Sequence, residues 1–525
     1  MSKFEMSFYN IILLNIFGLV SAYTQQPLQS SLDCVGLKIS SAPGTKIIAY
    51  HNSEVYNYSL AWYTGLNFCN VSIQFTHPGA NDVVLVAVWL PLEDWNGRFQ
   101  GTGGGGLYAG IFDTMLAPAV DLGYAGASTD AGLAKNGTID PGSGAWILKS
   151  DGTVDIDLVV NFNHRAAHDM AVIGKAVTKA FYGKSPKYSY WNGCSTGGRQ
   201  GYSEAQRYPL DFDGILANAP ANFYSRLVLA DFWPSIVLAN VKSPPQCVFE
   251  AFRNDTIAMC DALDGVEDGF ISDPSICHYD PQLLVGSIVE CGMLGNVTIT
   301  PEDATVVVMI LEGAKSTTGE QLWFGIPPGA SFDGLANTTV YSNGSVLPVP
   351  FSAPEFWIRY FIYQDPEFET LQMTFHDFQI AFALSVAKYA VIFGSEDPDL
   401  TEFGKSGGKL LSWHGLADQY ISPEGTIKFR KEVERLADSS EIVDDYYRLF
   451  LAPGVAHCVG NGPAPVDPLS ALVDWVERGL APDTLPASVT KPSGTIVKRD
   501  ICRYPLISKY NGYGDPNNSG SFTCI

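Results

Sequence analysis

The five-residue segment 193–197, Gly-Cys-Ser-Thr-Gly, carries the clearest chemical signal in the chain. It follows an aromatic, β-prone run at 188–191 and precedes a helix-compatible segment at 199–207. A serine on a sharp strand-to-helix turn presents its hydroxyl at the edge of a sheet, where it can attack an acyl carbonyl. Flanking small residues allow strand and helix to pack closely. We therefore predict that Ser195 is a catalytic nucleophile, the alternative being a tight structural turn.

An acid and a base follow far downstream. Asp418 comes just after the apolar run 410–413, and His457 follows the run 446–451. The chain order serine, aspartate, histidine is that of α/β-hydrolases and differs from the chymotrypsin and subtilisin orders. His414 is an alternative base, but its place in an ordinary turn after a strand favours a structural role. We therefore predict a triad of Ser195, Asp418 and His457.

Two cysteines flank this predicted triad. Cys194 precedes the serine and Cys458 follows the histidine. If Ser195 bonds to His457, the two cysteines come within reach of the Cα separation of about 5.5 Å that a disulfide needs. The bridge would tie the nucleophile to the base and close a loop of about 260 residues, for which chain entropy gives on the order of 5 kcal/mol.

These residues, with the segment 193–202 around the serine, resemble the fungal tannase and feruloyl esterase family. The resemblance extends over nearly the whole mature chain. It implies a serine carboxylic ester hydrolase that cleaves esters of hydroxycinnamic or gallic acids through an acyl-enzyme, without a catalytic cofactor. In that family the cysteines beside the catalytic serine and histidine are paired.

Alternating strand and helix patterns up to Pro220 predict a mainly parallel sheet. Val83 to Leu90 is a strong predicted strand, whereas 34–69 reads as irregular. From about 222 to 391 the alternation is lost. We therefore predict an α/β-hydrolase fold whose catalytic domain is discontinuous, 23–221 and 392–525, with 222–391 as an inserted lid domain; a lid over the active site is what the resemblance implies.

A glycine-rich loop follows the predicted strands, with four consecutive glycines at 103–106. Such a loop can supply an oxyanion-hole amide because glycine lets the backbone approach the substrate oxygen closely. The alternatives are a flexible turn or a phosphate loop, and the latter lacks its Gly-Lys-Ser/Thr sequence. We expect the amides of Gly104 and Thr196 to form the oxyanion hole.

Carboxylates concentrate at 260–270 with glycines that permit tight turning. Oxygen ligands on a turning backbone suit calcium, although the spacing is not that of an EF-hand, and Asp-Gly surface turns are the alternative. The resemblance, in which a matching loop binds calcium, favours a structural calcium site in the lid. Its implied ligands are the carboxylates of Asp261, Asp264 and Asp268 and the carbonyls of Val266 and Phe270.

Residues 1–22 have the features of a secretory signal, with Lys3, an apolar stretch from Ile11 to Val20 and a small-residue cleavage site ending at Ala22. We therefore expect a secreted, extracellular protein that has no membrane partner after cleavage. Its net charge of −23 disfavours nucleic acid and anionic membranes as partners.

Ten cysteines are typical of a secreted chain. Proximity and the resemblance suggest four further pairs: Cys34–Cys69, Cys247–Cys291, Cys260–Cys277 and Cys502–Cys524. Eight Asn-x-Ser/Thr sequons predict surface N-glycosylation, at Asn57, Asn70, Asn136, Asn254, Asn296, Asn337, Asn343 and Asn517.

An aromatic cluster at 351–363 fits the core of the lid, although a few of its rings could face the cleft and stack on an aryl acid. No adjacent Lys/Arg pair occurs at 222–391, which favours a single-chain, feruloyl-esterase-like enzyme over a processed tannase. Two alternatives stay open: an esterase acting on a small fungal secondary metabolite or its precursor, and a non-catalytic binding protein on a hydrolase scaffold.

Overall fold

The computed structural model describes residues 33–525, so the predicted signal peptide, 1–22, lies outside the described residues. Up to residue 221 the elements are, in chain order, β1 Lys46–Leu60, β2 Tyr63–Thr76, β3 Val84–Pro91, β4 Arg98–Thr102, α1 Phe112–Asp121, β5 Ala125–Thr129, α2 Ile156–Val160, α3 Ala166–Tyr182, β6 Tyr188–Cys194, α4 Thr196–Arg207 and β7 Gly214–Asn218.

The middle of the chain is mainly helical and contains only short strands. Its elements are α5 Tyr224–Ala230, α6 Trp233–Asn240, α7 Gln246–Cys260, β8 Ile288–Glu290, β9 Asn296–Thr298, α8 Pro301–Glu312, β10 Thr338–Val340, β11 Val346–Pro348, α9 Ser352–Phe356 and α10 Phe375–Tyr389. Within the described chain, none of these strands joins the central sheet; they form two separate hairpins.

The C-terminal part returns to alternating strands and helices and ends in small antiparallel sheets. Its elements are α11 Thr401–Lys405, β12 Lys409–Gly415, α12 Pro423–Ala437, α13 Ser440–Asp444, β13 Tyr447–Ala452, β14 Ala464–Pro465, α14 Pro468–Arg478, β15 Thr484–Thr490, β16 Ile496–Cys502, β17 Ser508–Tyr510 and β18 Phe522–Cys524.

The central sheet has nine strands in the order β1-β2-β3-β5-β4-β6-β7-β12-β13. The six strands from β5 to β13 are parallel, whereas β1, β2, β3 and β5 pair antiparallel. Strand β7 is buried along its whole length, as expected for a parallel strand covered on both faces. The sheet is therefore large and mixed, with its parallel part where the alternating pattern predicted it.

The predicted irregular character of 34–69 is wrong for most of that segment. Strands β1 and β2 form a long antiparallel hairpin at one edge of the sheet. Most of β1 is exposed or half-buried, so its sequence lacks the apolar alternation that marks a strand with one buried face. Strand pairing, which the pattern does not report, decides the structure here.

The middle of the chain packs directly against the helix that follows Ser195. The buried Arg199 guanidinium of α4 lies 5.0 Å from the ring centroid of Phe162, 5.3 Å from that of Tyr224 and 5.6 Å from that of Phe393. Burial lowers the pKa of Arg199 to about 10, and contacts with aromatic faces stabilise such a cation. Tyr224 of the segment 222–391, together with one aromatic residue from each side of that segment, thus encloses the Arg199 side chain of the helix behind the nucleophile.

All ten cysteines are paired in the structure, in the five combinations named above: Cys34–Cys69, Cys194–Cys458, Cys247–Cys291, Cys260–Cys277 and Cys502–Cys524. Five disulfides are typical of a chain that folds in an oxidising compartment. None of the helices in residues 33–525 has both the length and the apolar character required to cross a bilayer.

Candidate active site

Ser195 lies in the turn between β6 and α4, at the carboxyl edge of the parallel strands. Its φ of 64° is in a region that side-chain-bearing residues rarely adopt. The strained turn is fixed by hydrogen bonds from the Ser195 amide to Asn218 O at 3.0 Å and from the Ala221 amide to Ser195 O at 3.2 Å. A non-glycine residue held in such a conformation is a feature that clusters at active sites.

Glycines on both sides of the serine are required by close backbone approach. A Cβ at position 193 would lie 2.6 Å from backbone atoms of Gly197, and one at position 198 would lie 2.3 Å from Asn218 O. Because real Cβ atoms do not come so near backbone, only glycine allows α4 to approach β6 and the end of β7 as it does here. The small-residue pattern around Ser195 is thus explained by packing.

Asp418 and His457 follow β12 and β13, the neighbouring strands at the same edge of the sheet. His457 Nδ1 lies 2.8 Å from Asp418 Oδ2. Asp418 is buried, and its Oδ1 accepts hydrogen bonds from the amides of Tyr420 and Ile421, each at 2.9 Å. Burial alone would raise the pKa of Asp418. The neighbouring His457 and the hydrogen bonds that the Asp418 carboxylate accepts hold this pKa below its ordinary value.

The disulfide Cys194–Cys458 brings the serine and the histidine together. The Cα atoms of the two cysteines are 6.1 Å apart. Ser195 directly follows Cys194 in the chain, and His457 directly precedes Cys458. In residues 33–525 no hydrogen bond joins the Ser195 hydroxyl to His457, although His457 bonds to Asp418. Serine–histidine hydrogen bonds are often long in unliganded enzymes and shorten when substrate binds.

Gly104, which is expected to supply one amide of the oxyanion hole, has a side-chain partner in the structure. The amide of Gly104 donates to Gln200 Oε1 at 3.0 Å. Gln200 lies on α4, and its Nε2 donates in turn to Ala109 O at 3.0 Å. No local sequence pattern reveals this long-range side-chain contact.

Thr196, the other residue expected in the oxyanion hole, has an amide without a backbone partner in residues 33–525. It is the first residue of α4, where amides have no partner within the helix; across the described chain its amide makes no backbone hydrogen bond. Its hydroxyl donates to Gly106 O at 2.7 Å and so fixes the glycine loop against the helix. A free amide at a helix N-terminus favours developing negative charge.

One aromatic residue borders the histidine, and a second one contacts the first; the sequence pattern did not single them out as a pair. The Tyr420 ring meets the His457 ring edge-on, with centroids 5.4 Å apart. Phe351, from the middle of the chain, lies 5.1 Å from Tyr420. By contrast, Trp357 and Phe361 of the same aromatic cluster are buried and stack on each other at 3.9 Å.

The predicted calcium ligands lie together in a short loop after α7. Asp261, Asp264 and Asp268 are each less than a tenth exposed. Asp261 accepts bonds from the amides of Asp268 and Gly269, and burial raises the pKa of its carboxyl. Among residues 33–525 no group of three or more acidic, histidine or cysteine side chains is arranged around a metal position.

The third of these carboxylates has a cationic partner. Asp268 forms a buried ion pair with Arg499 of β16, and its backbone carbonyl accepts from Lys491 Nζ at 2.7 Å. Asp264 accepts from the hydroxyl of Ser272 at 2.5 Å. The loop is thus closed on itself by hydrogen bonds, with two carboxylates that lack a neutralising cation and one that has it.

Comparison with known proteins agrees with this geometry. The family model described as "Tannase and feruloyl esterase" matches residues 69–525. A probable feruloyl esterase of Arthroderma benhamiae is 46% identical over 531 residues, with 98% of each chain covered. A probable feruloyl esterase B-1 of Aspergillus flavus is 32% identical over 480 residues, covering 87% of this chain and 86% of that protein.

Solved structures show the same relationship. The tannin acyl hydrolase from Aspergillus niger superposes with a TM-score of 0.85 at 27% identity, with 93% of each chain covered. Feruloyl esterase B from Aspergillus oryzae gives a TM-score of 0.78 at 27% identity, covering 93% of this chain and 98% of that one. The resemblance inferred from the residues around Ser195 is confirmed, and the chain belongs to the tannase and feruloyl esterase family of carboxylic ester hydrolases.

Proposed function

We propose that this enzyme cleaves esters of phenolic acids through a triad of Ser195, Asp418 and His457. The observation that carries the proposal is the joint placement of the three residues. Ser195 is held at a positive φ at the edge of the sheet, His457 is bonded to the buried Asp418, and a disulfide joins the residues next to serine and histidine. A binding protein has no need of this combination.

In the proposed mechanism, the carboxylate of Asp418 accepts a hydrogen bond from His457 Nδ1–H and leaves Nε2 free to act as a base. Nε2 takes the proton of Ser195 as the serine oxygen attacks the ester carbonyl. The Thr196 amide stabilises the oxyanion that forms. His457 then protonates the leaving alcohol, and water releases the acid from the acyl-enzyme by the same steps.

The fold supports an α/β-hydrolase assignment in which 23–221 and 392–525 form the catalytic domain and 222–391 a lid. Every strand of the central sheet belongs to the first two ranges in the described chain. We place the lid over the cleft because Phe351 reaches Tyr420 beside His457. We also propose secretion, with glycans on the sequons whose asparagine is exposed: Asn57, Asn136, Asn254, Asn296 and Asn343.

Phenolic acids are proposed as the acyl group because aromatic rings lie near His457: Tyr420 contacts the imidazole, and Phe351 contacts Tyr420. Aromatic rings stack edge-on or offset against one another with gains of about 0.5–1.5 kcal/mol beyond area burial. Tyr420 and Phe351 are placed for such a contact. The names of the relatives, feruloyl esterase and tannin acyl hydrolase, are consistent with an aromatic acid.

The test is hydrolysis of methyl ferulate, methyl gallate and p-nitrophenyl butyrate by the purified enzyme. We expect kcat/KM for one of the phenolic esters to exceed that for the other by about tenfold or more, because a site that hydrogen-bonds a substrate hydroxyl discriminates strongly against analogues. Turnover of p-nitrophenyl butyrate alone would instead favour a small secondary metabolite as substrate. Inertness towards all three would favour a non-catalytic binding protein.

We further propose that the loop at 261–270 binds a structural calcium ion. The ligands would be the carboxylates of Asp261, Asp264 and Asp268 with the carbonyls of Val266 and Phe270. The chemistry of these donors suits a hard cation, and two of the carboxylates are buried without a cationic partner. The ion would hold the loop that the disulfide Cys260–Cys277 closes.

Removal of calcium is expected to lower the melting temperature. When the free calcium concentration is about a hundred times the Kd, binding contributes about 2.7 kcal/mol to the free energy of unfolding. Its loss corresponds to a fall of about 2–5 °C in the melting temperature of a large domain. The measurement is thermal unfolding with and without EGTA, together with elemental analysis of the purified protein. Asp264→Asn should abolish the EGTA effect, whereas Asp280→Asn, at an exposed turn outside the loop, should retain it. Equal melting temperatures and no bound calcium would refute the site.

A further inference from the structure

A second histidine contacts the proposed catalytic aspartate. His414, near the end of β12, and Asp418 are both fully buried. His414 Nε2 lies 3.1 Å from Asp418 Oδ2, the same oxygen that bonds to His457 Nδ1 at 2.8 Å. Asp418 therefore lies between two imidazole rings, of which the mechanism described above uses only one.

The partners of His414 determine which way its hydrogen bonds run. Nε2 also lies 2.9 Å from the carbonyl oxygen of Ile421, which can only accept. Nε2 must therefore carry a proton, and this N–H is shared between Ile421 O and Asp418 Oδ2. The other ring nitrogen, Nδ1, lies 2.8 Å from Thr426 Oγ1 on α12. Both nitrogens of the ring are engaged, so its orientation is fixed.

The result is a carboxylate with donors on every side. Oδ1 of Asp418 accepts from the amides of Tyr420 and Ile421, and Oδ2 accepts from His414 and His457. Without His414, Oδ2 would be held only by the imidazole that it is meant to orient. A carboxylate fixed independently of its catalytic partner is what precise positioning of that partner requires.

We propose that His414 is a positioning residue that donates its Nε2–H to Asp418 and thereby holds the aspartate in the orientation in which it fixes His457. The inference rests on the proposed catalytic role of Asp418. It assigns no proton transfer to His414, because the ring is buried and its nitrogens contact Asp418, Ile421 and Thr426.

Asp231 is the other acidic group close to this network. It lies at the end of α5 and lines a small cavity together with Asp418 and Tyr420. Burial, followed by repulsion from Asp418, raises the pKa of Asp231 well above its ordinary value.

The test compares two amide variants of the same residue. His414→Gln places an N–H close to the position of Nε2, so it can still reach Asp418. His414→Asn is one methylene shorter. Its amide can replace only Nδ1, the ring nitrogen that contacts Thr426, and cannot reach Asp418. We measure kcat, KM and the pH profile of kcat/KM per active site, with active sites counted by titration with a fluorophosphonate, and Asp418→Asn serves as reference.

We expect His414→Asn to lower kcat by about a hundredfold with little change in KM, because a small displacement of a positioned group has effects of that size. We also expect the acid limb of its pH profile to move to higher pH by about half a unit or more, since an Asp418 that has lost a donor stabilises the His457 imidazolium more strongly. His414→Gln should restore most of kcat and the wild-type limb.

Wild-type kcat and an unmoved acid limb in His414→Asn would overturn the inference, as would equal losses in the Asn and Gln variants. An active Asp418→Asn would instead show that the proposed triad itself is wrong. If neither amide variant folds, the inference is tested instead by the NMR spectrum of wild-type protein labelled with 15N-histidine. Two strongly downfield imidazole N–H signals, both lost in Asp418→Asn, support the inference, and a single one refutes it.

Discussion

Replacing Ser195 with alanine is expected to lower kcat by about a million-fold on any ester that the enzyme cleaves, the loss seen when a serine hydrolase is deprived of its nucleophile. The oxyanion amide and the substrate contacts remain, so binding of substrate should be nearly unchanged. Because alanine can adopt the same φ of 64° at a cost similar to that of serine, the melting temperature should also be unchanged. The measurement is steady-state hydrolysis beside thermal unfolding.

A matched control lies two turns farther along the same helix. Ser203 on α4 is buried, and its hydroxyl has no hydrogen-bond partner in the described residues. Ser203→Ala therefore removes the same atom from the helix that follows Ser195, and kcat should stay within about twofold, since loss of an unsatisfied hydroxyl is nearly neutral. Comparable activity in Ser195→Ala and Ser203→Ala would rule out Ser195 as the nucleophile.

The sequence predicted the three residues of the candidate triad because each follows a parallel strand. In such a sheet the carboxyl ends of the strands lie at one edge, so residues far apart in the chain are brought together by topology alone. Ser195, Asp418 and His457 follow β6, β12 and β13 in this way. The link between Cys194 and Cys458 could be anticipated for the same reason, as a consequence of the neighbouring pair.

What the sequence could not predict depends on side chains that meet across the fold. Gln200 occupies the amide of Gly104 from 96 positions away, and nothing in either local sequence signals the contact. The same holds for His414, whose turn looks ordinary until the carboxylate of Asp418 is seen between two rings. The sequence did not predict the edge hairpin of β1 and β2. Its outer strand, β1, is held by backbone pairing with β2 and not by burial of apolar side chains, so it lacks an apolar pattern.

Removing the disulfide between Cys194 and Cys458 is expected to reduce both activity and stability. In the double variant C194A/C458A, the loop that carries His457 is still held by the bond from the His457 amide to Gln419 Oε1 at 3.2 Å and by the Ala417–Val455 backbone bond at 3.0 Å. The histidine is therefore displaced and not lost, and we expect kcat to fall by about a hundredfold. The bridge spans 264 residues, for which chain entropy predicts a loss of up to about 5 kcal/mol in the free energy of unfolding.

The loss of stability must be separated from the loss of activity. The disulfide Cys502–Cys524 provides the control for this. It spans 22 residues and joins β16 to β18, so its removal should cost about 3 kcal/mol by the same reasoning. Because neither strand carries a triad residue, C502A/C524A should keep its kcat per folded molecule while its melting temperature falls. Both variants are assayed at a temperature where each is folded by circular dichroism. If C194A/C458A then matched the wild type in kcat, the bridge would stabilise the fold without positioning His457. A loss confined to C194A/C458A would mean that this bridge, unlike the other, sets the distance between nucleophile and base.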